Sequence, residues 1–311
     1  MPPVVVAATR RELRLALFRR EGGLLELAEY HAVPLPAGAL AGGALGGPIT
    51  DANALGEAVR SLVSRSSSRI HRATLVLPDA WARGMTVELD TELPDSPALA
   101  LEVLRYRMRK IVPFRADELR IAATPIAPLS GPQEGVRMLA LLAAENVCAG
   151  FEAAFGALGV RLGQLTSSTL ARLGALGDGD RLTGLSALAS VEAEGFTLVF
   201  ARAGAPLLWR QKAFTEGLSD EDRARLLGAE LRLTRTFLAE RLAGETLETA
   251  LLSAPSEVEG FWKTVLEDGL ARPVAALQSD YLPLAGSPAA APPVVIAPLV
   301  GAVCREIARP T

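Results

Sequence analysis

Apolar and polar positions alternate along residues 12–19 and again along residues 196–202, the two-residue period of a strand with one covered face. Each stretch lies inside a longer segment of the same plan. Residues 4–33 and 185–214 both read as three short strands, separated by a polar turn and then a glycine turn, Glu21-Gly22-Gly23 in the first and Ala203-Gly204 in the second. A three-strand meander opening each half of the chain predicts a duplicated α/β unit. After the first meander, the Gly/Ala/Pro-rich residues 34–48 read as a loop. Residues 51–65 then read as a helix capped by Thr50 or Asp51, with Leu55, Val59, Leu62 and Val63 on one face. Residues 73–78 have the apolar run of a buried strand. Residues 81–163 look self-contained: strand 85–89, helix 97–110, strands 119–126 and 137–143, and helix 145–158. Residues 218–242 predict one or two helices whose apolar faces come from Leu226, Leu227, Leu231, Leu233, Phe237 and Leu238. Strand 249–253 and helix 256–270 follow. The final run, V-V-I-A-P-L-V-G-A-V-C-R-E-I, is expected to pass from a strand through Pro298 into a short helix. This order of elements predicts an α/β protein with one α+β insertion.

Composition narrows the functional classes. The chain has 311 residues, half of them hydrophobic, enough for two cores or one bilobal core. Its 32 basic and 35 acidic residues leave a net charge of −3, so no overall field recruits nucleic acid. Cys148 and Cys304 fit no metal or redox spacing, and His31 and His71 are isolated. No Gly-Lys pair exists for a phosphate-binding loop, and the sequence has no Cys-x-x-Cys, His-Glu-x-x-His or Gly-x-Ser-x-Gly. The paired carboxylates Glu192/Glu194 and Asp220/Glu221/Asp222 read as turn or helix-start residues. No signal peptide is visible, and prolines interrupt the longest apolar stretch, residues 282–303, so a soluble intracellular protein is expected.

One local feature stands apart. In Y-R-M-R-K-I-V-P-F-R-A-D-E-L, residues 106–119, a basic helix end runs into an apolar knuckle at Pro113. Arg107, Arg109 and Lys110 suit the negative end of a helix, and Pro113 forces the chain out of it. Phe114 is expected to be buried, with Ile111 anchoring the helix end.

Several stretches, in this order, resemble the PilM family of cytoplasmic actin-like proteins of type IV pilus assembly, similar in fold to the division protein FtsA. They are D-A-N-A-L-G-E-A-V-R-S-L-V leading to T-L-V-L-P-D; E-V-L-R-Y-R-M-R-K-I-V-P-F-R-A-D-E-L-R; M-L-A-L-L-A-A-E-N-V; F-E-A-A-F-G-A-L-G-V-R-L-G-Q-L; and A-E-L-R-L-T-R-T-F-L. The resemblance implies a bilobal actin-like α/β fold with an inserted small α+β subdomain of the FtsA/PilM type. Residues 1–80 would form the first lobe, with 164–182 and 290–311 returning to it. The insertion would be 81–163 and the second lobe 183–289. The insertion's own core is expected to hold Met85, Leu101, Leu104, Met108, Phe114, Leu139, Leu141, Phe151, Phe155 and Leu158.

Actin-like ATPases hold phosphates at two hairpin tips with glycine and aspartate, and adenosine at a Gly-Gly turn, because backbone must approach anionic oxygens closely. Here the first tip reads Ala7-Ala8-Thr9-Arg10-Arg11, the second Ser190-Val191-Glu192-Ala193-Glu194, and the adenosine turn Leu252-Ser253-Ala254-Pro255. All three have lost the pattern, so Ala7, Ala8, Thr9, Arg10, Ser190, Glu192, Ser253 and Ala254 are vestigial positions. A non-catalytic protein without ATP, magnesium or another cofactor is expected. The resemblance further implies an adaptor at the cytoplasmic face of the bacterial inner membrane that binds the short tail of a PilN-like single-pass protein. Motor or platform proteins are further candidate partners, and self-association is left open. Arg105, Met108, Arg109, Ile111 and Phe114 are the candidate contacts. The alternatives are a component of type II secretion similar to GspL and a divergent actin-like ATPase.

Overall fold

The computed structural model describes residues 3–41, 49–109, 111–112, 115, 118–129, 135–177, 182–242, 244–286 and 291–307. Pro113 and Phe114 lie outside the described residues, and with them the expected burial of Phe114.

The two meanders are there. Strands β1 (Val4–Ala8), β2 (Glu12–Glu21) and β3 (Leu24–Pro34) run antiparallel, and β1 continues in parallel to β4 (Arg72–Leu77) and β8 (Arg161–Ser167), giving the order β3-β2-β1-β4-β8. The second sheet repeats this plan as β11-β10-β9-β12-β13, from β9 (Leu185–Glu192), β10 (Gly195–Arg202), β11 (Ala205–Ala213), β12 (Leu247–Ser253) and β13 (Ala275–Ala276). The strands β1, β4 and β9 are buried along nearly their whole length, which is why they read as apolar runs, and β10, paired on both sides, is buried as well although its sequence alternates.

Helix α1 (Ala52–Ser64) starts where Asp51 accepts a hydrogen bond from the Ala54 amide, and it buries Leu55, Ala58, Val59 and Leu62 on the first sheet. Helix α5 (Asp220–Arg241) is one continuous helix, begun by Ser219 accepting from the Asp222 amide. It packs with α6 (Ser256–Leu270) on the second sheet. Leu227 and Leu231 face that core, whereas Leu233, predicted apolar-face residue though it was, is 67% exposed.

Between the sheets lie α4 (Ser168–Gly177) and α7 (Pro293–Ile307), whose small residues bring both sheets into one central core with Phe18, Leu188, Val199 and Trp209. At the α4–α7 crossing, a Cβ on Gly301 would stand 1.7 Å from the Ala171 carbonyl oxygen, so only glycine fits. Helix α7 corrects the expected strand-to-helix passage: the apolar run is helical throughout, with Pro298 inside it. Proline removes the amide that would bond the Val294 carbonyl one turn back, and the Arg172 guanidinium from α4 faces that carbonyl at 3.5 Å instead.

The three-stranded antiparallel sheet β5-β7-β6 comes from β5 (Ala82–Leu89), β6 (Leu119–Ile126) and β7 (Val136–Ala144). With α2 (Pro97–Met108) it encloses a small core of Val87, Leu89, Leu104, Met108, Val112, Leu119, Met138, Ala140 and Leu142, with Met85 against its edge. The larger core expected for residues 81–163 is corrected here. Phe151 and Phe155 of α3 (Glu145–Gly156), with Leu158, pack on the first sheet beside Trp81 and α1, and Leu139 joins the central core. Once β7 ends, α3 has an apolar face that the first sheet and α1 cover together.

Candidate functional site

At the first hairpin tip, residues 9–11, Thr9 folds back onto the turn while Arg10 and Arg11 are exposed. Thr9 donates its amide to the Glu12 carbonyl at 2.9 Å, and its hydroxyl oxygen accepts from the Arg11 and Glu12 amides at 3.3 and 3.0 Å. Ala7 and Ala8, expected at this tip, are buried strand residues of β1. The Thr9, Arg11 and Glu12 amides are therefore engaged within the turn itself.

The second tip is the two-residue turn Ala193-Glu194 between β9 and β10, and it leans on α4. Arg172, nearly buried, donates from Nη1 to Ser190 Oγ at 2.7 Å and to Glu192 Oε1 at 3.1 Å. Ser168 Oγ lies 2.6 Å from the same Glu192 oxygen. Glu194 faces across to Arg10 of the first tip at 3.9 Å, so the two tips oppose each other through a loose ion pair. Burial, then the neighbouring Glu192 charge, hold the Glu194 carboxyl above its ordinary range. At the third position, Ser253 ends β12 directly beside Ser190 in the strand register, and Pro255 caps α6 without a side-chain bond. Glu257 and Glu259 occupy the first turn of α6, where they would repel an anion.

Asp79, which the sequence reading did not single out, sits at the centre of this junction. It follows β4 and is 5% exposed. Its carboxylate accepts from the Thr169 amide at 3.0 Å and from the Thr169 and Thr197 hydroxyls, the latter at 2.7 Å. Its backbone carbonyl accepts from Gln211 Nε2, while Gln211 Oε1 accepts from the Gly84 amide at 3.2 Å. Burial is the main cause that pushes the Asp79 carboxyl upward, and the Glu192 charge acts in the same direction. The only sequence signal was a carboxylate two residues beyond an apolar strand, where the chain leaves for β5. A cavity of about 180 Å³ opens beside Asp79, lined by Arg83, Glu192, Glu194, Gln211 and Lys212 among others. Among the described residues no group of His, Cys, Asp and Glu is placed to hold a metal ion.

The candidate contacts around α2 divide. Met108 is fully buried and is a core residue, while Ile111 is 45% exposed and does not anchor the helix end inside the core. Arg109 is exposed and Arg105 and Arg107 are half-buried; Arg105 and Arg109, four positions apart, share one side of the helix, and Arg107 points away from them. Leu99, Val103 and Tyr106 form an exposed apolar line on the outer face of α2. Strand β6 is an edge of its sheet, with Pro125 in it, and Arg120 ties it to α3 through Glu145 and Glu152, the Glu145 Oε2 contact being 3.1 Å. On the opposite side the small sheet is closed against the second large sheet: Gly84 lies under the Trp209 ring, and Arg137 donates to the Leu207 carbonyl at 2.6 Å. No helix among the described residues is long and apolar enough to cross a membrane.

No family model matches the chain, and no curated protein matches its sequence. Among solved structures, a PilM-PilN type IV pilus biogenesis complex matches with a TM-score of 0.74 at 18% identity, over 99% of this chain and 99% of that one. A Bacteroides thetaiotaomicron protein of unknown function with an actin-like ATPase fold matches with a TM-score of 0.51 at 10% identity, over 88% of this chain and 90% of that one. At such identities the likeness is one of architecture, and the repeated five-stranded sheets with two helices between them carry it: this chain has the actin-like ATPase fold.

Proposed function

We propose that this chain is a non-catalytic adaptor of a type IV pilus assembly platform, seated at the cytoplasmic face of the inner membrane, and that it binds the extended cytoplasmic tail of a PilN-like protein. One observation carries the non-catalytic part. The loops that would face a nucleotide are engaged with each other and with Arg172, through Arg10–Glu194, Arg172–Glu192 and the inward-turned Thr9. A triphosphate entering there would meet Glu192, Glu194 and the acidic start of α6, while the Thr9, Arg11 and Glu12 amides of the first tip are already engaged within the turn.

The binding part is supported by the architecture shared with PilM in a PilM-PilN complex. It is supported also by the edge strand β6 beside α3, where an extended tail adds a strand and pockets between side chains give selectivity. Calorimetry tests both parts. Titration with Mg-ATP is expected to give no saturable heat and no rise in melting temperature, since a ligand of the native state alone must stabilise it. Micromolar affinity for Mg-ATP overturns the non-catalytic reading. A synthetic PilN-like tail is expected to bind saturably, and its failure to do so overturns the adaptor reading.

A further inference from the structure

Asp79, Ser168 and Glu192 stand in a row where the two large sheets meet. Ser168 Oγ is 3.2 Å from Asp79 Oδ1 and 2.6 Å from Glu192 Oε1. A hydroxyl has one proton to donate, so it serves only one of two ionised carboxylates. Arg172 provides the cation for Glu192, and among the described residues no cation stands within ion-pair distance of Asp79. A protonated Asp79 resolves the conflict: it donates to Ser168, and Ser168 donates to Glu192. With Asp79 ionised, the buried carboxylate keeps its bonds from Thr169 and Thr197 but faces the Ser168 oxygen with no proton between them, beside the Glu192 charge and with no cation of its own among the described residues.

We propose that Asp79 holds a proton that it donates to Ser168, whose own hydroxyl proton goes to Glu192, and that losing the Asp79 proton as the pH rises loosens the junction between the two sheets. Other charged groups face this pair. Arg172 comes from α4, and Glu194 from the β9–β10 turn, within reach of Arg10 and Arg11 of the first tip. Arg83 of β5 and Lys212 of β11 line the adjoining cavity, and α7 contributes the Val294 carbonyl behind Arg172. The direction follows from the environment. A carboxyl held protonated in the folded chain stabilises at low pH, and that contribution is lost as the pH rises through its folded pKa. The effect reaches the small sheet, because Gln211 joins the Asp79 carbonyl to the Gly84 amide at the start of β5. The proton thereby couples the central junction to the seating of β5, whatever the partner of the chain.

The test is a carboxyl-carbon NMR titration of the wild-type chain with labelled aspartate, assigned through the backbone. The Asp79 resonance is expected to titrate at least about one unit above the ordinary aspartate value of roughly 3.9, and a midpoint at or below that value overturns the proposal. Hydrogen exchange at the Thr169 and Gly84 amides, corrected for intrinsic rate, gives a second reading. Protection in the wild type is expected to fall by up to about tenfold per pH unit between the ordinary aspartate value and the Asp79 midpoint and to level off above it, and to stay level throughout in Asp79→Asn. The same pH dependence in both chains overturns it, and should Asp79→Asn not fold, the wild-type titration alone decides.

Discussion

At the scale of single residues, Arg172 does the most. It holds Glu192 and Ser190 of the second sheet and faces the carbonyl that Pro298 leaves without an amide. Removing it leaves Glu192 without its cation in a largely covered site. Arg172→Ala is therefore expected to cost about 3 kcal/mol in urea unfolding, and the Arg172→Ala/Glu192→Ala pair clearly less than the sum of the two single changes. Additive losses would show that the two side chains do not act together. A second residue, Glu29, sits far from the junction. The Ser67 hydroxyl first, then the Ser67 amide, Ser66 and His31, hold its carboxyl down to about 2 from an ordinary 4.5. A depressed carboxyl stabilises above its unfolded pKa and loses that contribution as the pH falls through the folded one. Between pH 4.5 and about 2, the wild type is expected to lose stability that Glu29→Gln does not have to lose. Parallel acid-unfolding curves would contradict this.

At the scale of elements, the α4–α7 crossing and the exposed face of α6 make a matched pair. Gly301→Ala places a methyl against the Ala171 backbone, where no side-chain rotation gives relief, and about 3 kcal/mol of destabilisation is expected. Gly260 lies on α6 with nothing within 4 Å of its missing Cβ. Gly260→Ala is expected to stabilise by about 0.5–1 kcal/mol, because alanine costs less chain entropy in a helix. Chemical denaturation of both variants checks the crossing directly, and a harmless Gly301→Ala would mean that the helices stand further apart. The element boundaries that periodicity reveals are nearly those of the fold: α6 spans residues 256–270 and β6 residues 119–126, as read from the pattern. Periodicity failed at α7, where a proline inside an apolar run looks like a boundary. A side chain remote in sequence faces the carbonyl it leaves open, and no local pattern records that.

At the scale of the molecule, the proposed tail site predicts a separation of stability from binding. Arg105→Ala/Arg109→Ala is expected to leave the melting temperature nearly unchanged while weakening capture of a PilN-like tail several-fold, since Arg109 is exposed and Arg105 half-buried. Loss of folding with unchanged binding would reverse the assignment. The sequence by itself determined the duplicated meander, the helices with a single apolar face and the absence of glycine at the three loops. Each of these depends on the period or identity of neighbouring residues. Tertiary structure alone decided that α3 belongs against the first sheet and that Met108 is core while Ile111 is not. It alone brought Asp79 to Ser168, Thr169 and Thr197, residues as many as 118 positions away. Burial and the pairing of charges depend on what the opposite sheet presents, and the order of residues along one strand carries no record of that.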